Sequence, residues 1–129
     1  MSEKPDISSR ADIELVIKKF YDKLLVDELV GFLFNEVVQL NLSEHLPKLV
    51  DFWEDQLLNS KKYSGNPMRV HMNLHLKEPL KKEYFDRWLL LFNQTVDSHF
   101  SGLKAHLAKE RAQSIATVMQ IKVMSVSRN

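Results

Sequence analysis

The chain has no cysteine in its 129 residues, which excludes disulfides, thiolate ligands, iron–sulfur clusters and cysteine nucleophiles and fits a reducing, cytoplasmic compartment. Glycine and proline are nearly as scarce, with three and four copies, and long spans carry neither breaker. An excess of one charge is missing too. Eighteen basic residues against seventeen acidic ones leave a formal charge of +1, so neither nucleic acid nor an anionic membrane is implied as a partner. No apolar run approaches the length that spans a bilayer, and the opening "MSEKPDISSR" has no apolar stretch of the signal-peptide kind. What remains is one domain, large enough to bury about two-thirds of the surface its unfolded chain exposes. It is expected over residues 11–125, with a loosely ordered N-terminus at 1–10 and a tail at 126–129.

Apolar residues recur at three- and four-residue steps without strand alternation, so the expected fold class is all-α. A first helix over about 11–26 carries Ile13, Val16, Ile17, Phe20, Tyr21 and Leu24 on one stripe, with Ser8 or Ser9 as cap. A short helical piece, "DELVGFLFNEVV", follows a break at Asp27. In "SEHLPKLVDFWEDQLLNS", Pro47 lacks the N–H that an interior position needs and so belongs to the opening turn. That places Ser43 as cap and His45 in the first turn. His45, Leu49, Phe52 and Gln56 then share a face, with Trp53 about 100° round the helix. Residues 59–70 read as a loop, and Pro79 opens a long helix with Phe85, Trp88, Leu89 and Phe92 inward. Gly102 precedes a last helix to about residue 123, apolar at Leu103, Leu107, Ile115, Val118 and Met119.

The residues best suited to chemistry are histidines and polar aromatics. His71 and His75 stand four apart in "GNPMRVHMNLHLKEPL", a spacing that puts two imidazoles on one helical face and could hold a metal. Met72 occupies the place of the glutamate in H-E-x-x-H, however, and no cysteine or obvious third ligand supports zinc. His99 and His106 lie in no motif and read as surface residues. On residue type alone, Tyr21 and Trp88 are core aromatics with one polar end, and His45 is a solvent-facing residue at a helix start. Phe34, Leu49, Phe52 and Phe85 belong to a core under any reading.

Taken in order, "FYDKL", "FLFNEV", "HLPKLVDFW", "GNPMRVHMNL" and "YFDRWLLLF" resemble the truncated haemoglobins, specifically group III, over residues 13–123. The glycine-pair motifs of the other two groups are missing, as they are in group III. The resemblance implies a two-on-two helical sandwich around haem b. It makes His71, four residues after Pro67 in an N-P-x-x-x-H pattern, the proximal iron ligand and leaves His75 outside the motif. Phe34 becomes the phenylalanine packed on the porphyrin, Tyr21, His45 and Trp88 the distal polar positions, and Leu49 and Phe52 wall positions. Phe85, Leu89 and Phe92 supply further apolar wall. Pro47, two places after His45, departs from the expected pattern.

These roles suit the side chains. A neutral imidazole holds ferrous haem through one nitrogen while the other donates to a carbonyl. An indole N–H can only donate and a phenol can rotate to do so, and both donate more strongly in a dry pocket than in water. The implied function is binding of O2, NO, CO or a similar ligand at a pentacoordinate ferrous iron. Three distal donors fit tight retention, or redox chemistry on O2, NO or peroxide of the NO dioxygenase or peroxidase kind, better than bulk oxygen transport. Repeated turnover needs an external reductase, because no flavin or nicotinamide domain fits in the chain. The alternative is a non-haem all-α interaction module with a degenerate globin core.

Overall fold

The first helix starts on a serine hydroxyl. Ser9 accepts the backbone N–H of Asp12 at 3.3 Å, and Arg10–Leu25 follows as α1. In this computed structural model the described residues are 4–37, 41–59, 61 and 80–127. After α1 come a π-helical turn at Leu33–Val37, α2 at Leu42–Leu58, α3 at Lys82–His99 and α4 at Leu103–Ser127. The fold is all-α, as the periodicity predicts.

Helix α1 buries Ile13, Val16, Ile17, Phe20 and Leu24, the three- and four-residue stripe of the sequence. It ends in a turn organised by Asp27. One carboxylate oxygen accepts the N–H groups of Leu29 and Val30 at 3.0 and 3.1 Å, and the other takes the Arg87 guanidinium at 2.8 Å. Residues 28–30 are therefore turn rather than helix. The chain becomes helical at Gly31 and widens into the π-helical turn.

Helix α2 departs from the expected register. Its cap position is Asn41, not Ser43, whose hydroxyl instead donates to Asn41 Oδ1 at 2.8 Å. His45 consequently closes the first turn, its N–H on the Asn41 carbonyl at 3.1 Å, and Pro47 lies two residues beyond it. Pro47 is accommodated because the N–H it lacks removes only the bond to the Ser43 carbonyl, near the helix start. The buried face is Val50, Trp53, Glu54 and Leu57, one position round from the anticipated His45, Leu49, Phe52 and Gln56. Buried Glu54 is neutralised from α1 by Arg10 at 2.8 Å, and the same guanidinium reaches Asp51 at 2.7 Å.

Helix α3 buries Phe85, Leu91, Phe92, Thr95 and Val96, while Trp88 and Leu89 are half-buried. Helix α4 is the second correction. Of the apolar positions read in this helix, Met119 is buried whereas Leu103 and Val118 are 86% and 45% exposed, and the buried stripe is Ala105, Ala108, Ala112, Ala116, Met119 and Val123. Alanines on this face let α3 and α4 pack closely. The start of α4 is capped from far away in the chain, because Asp6 accepts the N–H groups of Lys104 and Ala105, both at 2.9 Å. Residues 4–7, expected outside the domain, are thus tied to the helices: Lys4 donates to the Asp97 carbonyl of α3 at 2.6 Å, the Pro5 carbonyl accepts the N–H of Ser101 at 3.0 Å, and Ile7 is 2% exposed.

α1 packs on α2 and α3 on α4, with α1 also against α3 and α2 against α4. That is a two-on-two sandwich. No helix among the described residues is long and apolar enough to cross a membrane.

Candidate functional site

Between the end of α1, the π-helical turn, the start of α3 and the middle of α4 lies a partly open cleft of about 80 Å³. It exceeds the water-sized voids of ordinary core packing. Four residues singled out in the sequence meet there: Tyr21, Phe34, Phe85 and Trp88. The Tyr21 and Phe34 rings sit edge to face at 5.8 Å.

The position of Trp88 is set by an aromatic stack. It lies parallel to Phe92 at 5.8 Å, Phe92 stacks in turn on Trp53 at 4.9 Å, and Phe20 meets Trp88 and Phe92 edge-on at 5.6 and 5.1 Å. Offset and edge-on pairs of this kind are favourable beyond their area. They hold Trp88 at the cleft while Phe92, 1% exposed, lies behind it in the core rather than in the wall.

Among the described residues, neither the Tyr21 hydroxyl nor the Trp88 indole N–H has a hydrogen-bond partner. Burial pushes the Tyr21 phenol up to about 12, so it keeps its proton, and its capacity to donate, throughout the neutral range. With the Tyr84 phenol, three groups able to donate accompany an otherwise apolar lining.

The remaining sequence candidates lie elsewhere. Leu89 is half-buried against the core and does not line the cleft. Leu49 and Phe52 are half-buried on α2, outside the lining, with Phe52 edge-on to Trp53 at 5.6 Å. His45 is exposed, its backbone N–H bonded to the Asn41 carbonyl at 3.1 Å. His71, His75 and Pro67 fall outside the described residues. His106 is exposed beside Glu110 at 3.0 Å, whereas His99, expected at the surface, is half-buried with Nδ1 3.0 Å from the Thr95 carbonyl.

Other lining residues are not singled out as site residues in the sequence, although Ile115 and Met119 are read there as apolar. Val30 and Leu33 come from the turn after α1, Leu80 and Tyr84 from the approach to α3, and Ile115, Ala116 and Met119 from α4. Tyr84 stands one helical turn before Trp88, a spacing that places both on one face. That signal is present in the sequence.

The residues fit a flat apolar cofactor with a polar reaction centre. Aromatic and aliphatic walls suit the macrocycle, and two unpaired donors suit a small ligand held beside it.

Comparison with known proteins agrees. A model of the bacterial-like globin family matches residues 6–124. The group 3 truncated hemoglobin ctb of Campylobacter jejuni is 29% identical over 115 residues, covering 87% of this chain and 88% of that protein. The crystal structure of group III truncated hemoglobin from Campylobacter jejuni matches with a TM-score of 0.82 and 27% identity, covering 93% and 94% of the two chains.

Proposed function

The chain belongs to the bacterial-like globin family and has the truncated-globin fold, and from that premise we propose that it holds haem b in the apolar cleft and retains a diatomic ligand there rather than delivering it. His71 is the protein ligand of the iron in this reading, and Phe34 and Phe85 are porphyrin walls. The haem supplies, when bound, a ferrous centre able to take up O2, NO or CO.

The observation that carries the reading is that Tyr21 and Trp88 line one cleft and that, among the described residues, neither the phenol hydroxyl nor the indole N–H has another partner. A phenol held protonated by burial and an indole that can only donate both stabilise a ligand with anionic character and offer nothing to a nonpolar one. Retention of that kind suits redox chemistry on O2, NO or peroxide, with electrons from an external reductase. Exposed His45 lies at the α2 surface, consistent with a histidine that faces solvent and is not needed for retention.

The test is the O2 dissociation rate. A hydrogen bond to a charged acceptor contributes on the order of 1.5–3 kcal/mol, so Tyr21→Phe or Trp88→Phe should speed release roughly ten- to a hundredfold. If neither changes the rate beyond about twofold, worth only ~0.4 kcal/mol, both residues are core aromatics and the retention reading fails.

A further inference from the structure

The Trp53–Phe92–Trp88 stack joins the cleft to a second indole on another helix. Trp88 lines the cleft, and Phe92 lies behind it at 5.8 Å with its ring 13° from parallel. Trp53 of α2 follows at 4.9 Å and 22°. Three near-parallel rings thus run from the cleft into the core and out towards α2. Trp53 is 6% exposed, and its indole N–H has no partner among the described residues. Of the fully buried side-chain nitrogen and oxygen atoms described, Asn93 Oδ1 alone lacks a partner, so the Trp53 N–H is not sealed in the core and meets solvent. Having an indole at each end matters, because an indole gives up one electron far more readily than a phenylalanine ring does. Tyr21 also reaches the cleft, but a phenol sheds its proton as it is oxidised. Burial opposes that loss, and no acceptor stands beside the hydroxyl among the described residues.

We propose that this stack is an electron path, on which Trp88 supplies electrons to the cleft and Trp53 replaces them from the solvent side. The inference rests on the proposed haem reading and on its peroxide chemistry. Reduction of a hydroperoxide in the cleft breaks its O–O bond and takes two electrons, with two protons from water, leaving an alcohol and water. Each electron leaves the Trp88 indole, and one from Trp53 refills it across the Phe92 ring. Phe92 is not itself oxidised; it fills the gap between the two indoles. Trp53 then sheds its N–H proton to solvent as the neutral radical forms, and a phenolic reductant outside the fold returns a hydrogen atom to it. Two passages oxidise two phenols to phenoxyl radicals for each hydroperoxide, and both indoles end as they began.

The experiment loads the protein with ferric haem, checks the Soret band, adds hydrogen peroxide without a reductant and locates the oxidised residues by peptide mass spectrometry. In wild type, products should appear on Trp53, which does not line the cleft, and the apoprotein given the same peroxide should lack them. Trp88→Phe removes the first donor, so Trp53 oxidation should fall to the apoprotein level. Trp53→Phe keeps an aromatic ring in the stack without an oxidisable end, so products should accumulate on Trp88 instead. Added phenol should suppress Trp53 oxidation in wild type but spare the Trp88 oxidation of Trp53→Phe. A haem-loaded wild type oxidised nowhere, or only at Trp88, Tyr21 or Tyr84, overturns the path and leaves the haem reading intact. Equal Trp53 oxidation in Trp88→Phe and wild type, or phenol protection of Trp88 in Trp53→Phe, does the same. A wild type that takes up no haem overturns both.

Discussion

Asp27 shows how one side chain positions the site. Its carboxylate closes the turn after α1 through the N–H groups of Leu29 and Val30 and anchors Arg87 of α3, with Val30 and Trp88 in the cleft on either side of this link. Burial works against the charged carboxylate, but Arg87 and the two backbone N–H groups outweigh it and hold the Asp27 pKa below the usual value. A carboxylate with a lowered folded pKa contributes stability above its unfolded pKa, and that contribution is lost as the pH falls through the folded value. Asp27→Asn should therefore cost about 1.5–3 kcal/mol at pH 7. In denaturant titrations the gap to wild type should narrow below about pH 4, the region where an unperturbed carboxylate titrates. A gap that stays constant down to pH 2 contradicts the linkage.

The same residue marks a limit of sequence reading. A break at Asp27 is legible from the lapse of helical periodicity, whereas its pairing with Arg87, sixty positions away, carries no local signal. Tyr21, Phe34, Phe85 and Trp88 are placed at the cleft because their motifs resemble those of a known family. Their mutual geometry depends on the Trp53–Phe92–Trp88 stack, and sequence spacing alone puts Trp53 off the expected face.

Among the elements, α1 is the most faithful to its pattern, since Ile13, Val16, Ile17, Phe20 and Leu24 of the expected stripe are all buried. Helix α4 is the least. Its inward face is mostly alanine, which hydrophobic patterning weighs little, with Met119 and Val123 towards its end, while Leu103 and Val118, apolar by type, are exposed. In α2, proline suggests a later start than the chain takes, because the rule that excludes proline from helix interiors is relaxed where only one early bond is lost. The cap of α4 is equally hidden: Asp6 reaches across the fold to Lys104 and Ala105, and Gly102 adopts φ +135° beside it, where a Cβ would lie 2.6 Å from the Asp6 carboxyl carbon. Asp6→Ala should lower stability by about 1–2 kcal/mol, the usual cost of losing a cap, measured as a lower urea midpoint with an unchanged slope. No shift in the midpoint would show that the N-terminal segment does not hold α4.

At the scale of the molecule, two helix pairs stacked on each other leave an apolar cleft beside the aromatic stack, and the globin family to which the chain belongs implies haem as its cofactor. The class, the sandwich and the cofactor are legible from motif order, because that order constrains the packing of all four long helices at once. The proximal histidine is where the sequence makes its sharpest commitment, choosing His71 over His75 on the N-P-x-x-x-H spacing. The most direct measurement is the absorption spectrum of the purified protein loaded with haem, taken for wild type, His71→Ala and His75→Ala. Wild type and His75→Ala should give the same Soret band, and His71→Ala should lose it or bind haem far more weakly. A His75→Ala protein that loses the band while His71→Ala keeps it would contradict the assignment, and a wild type with no Soret band would leave only a helical interaction module.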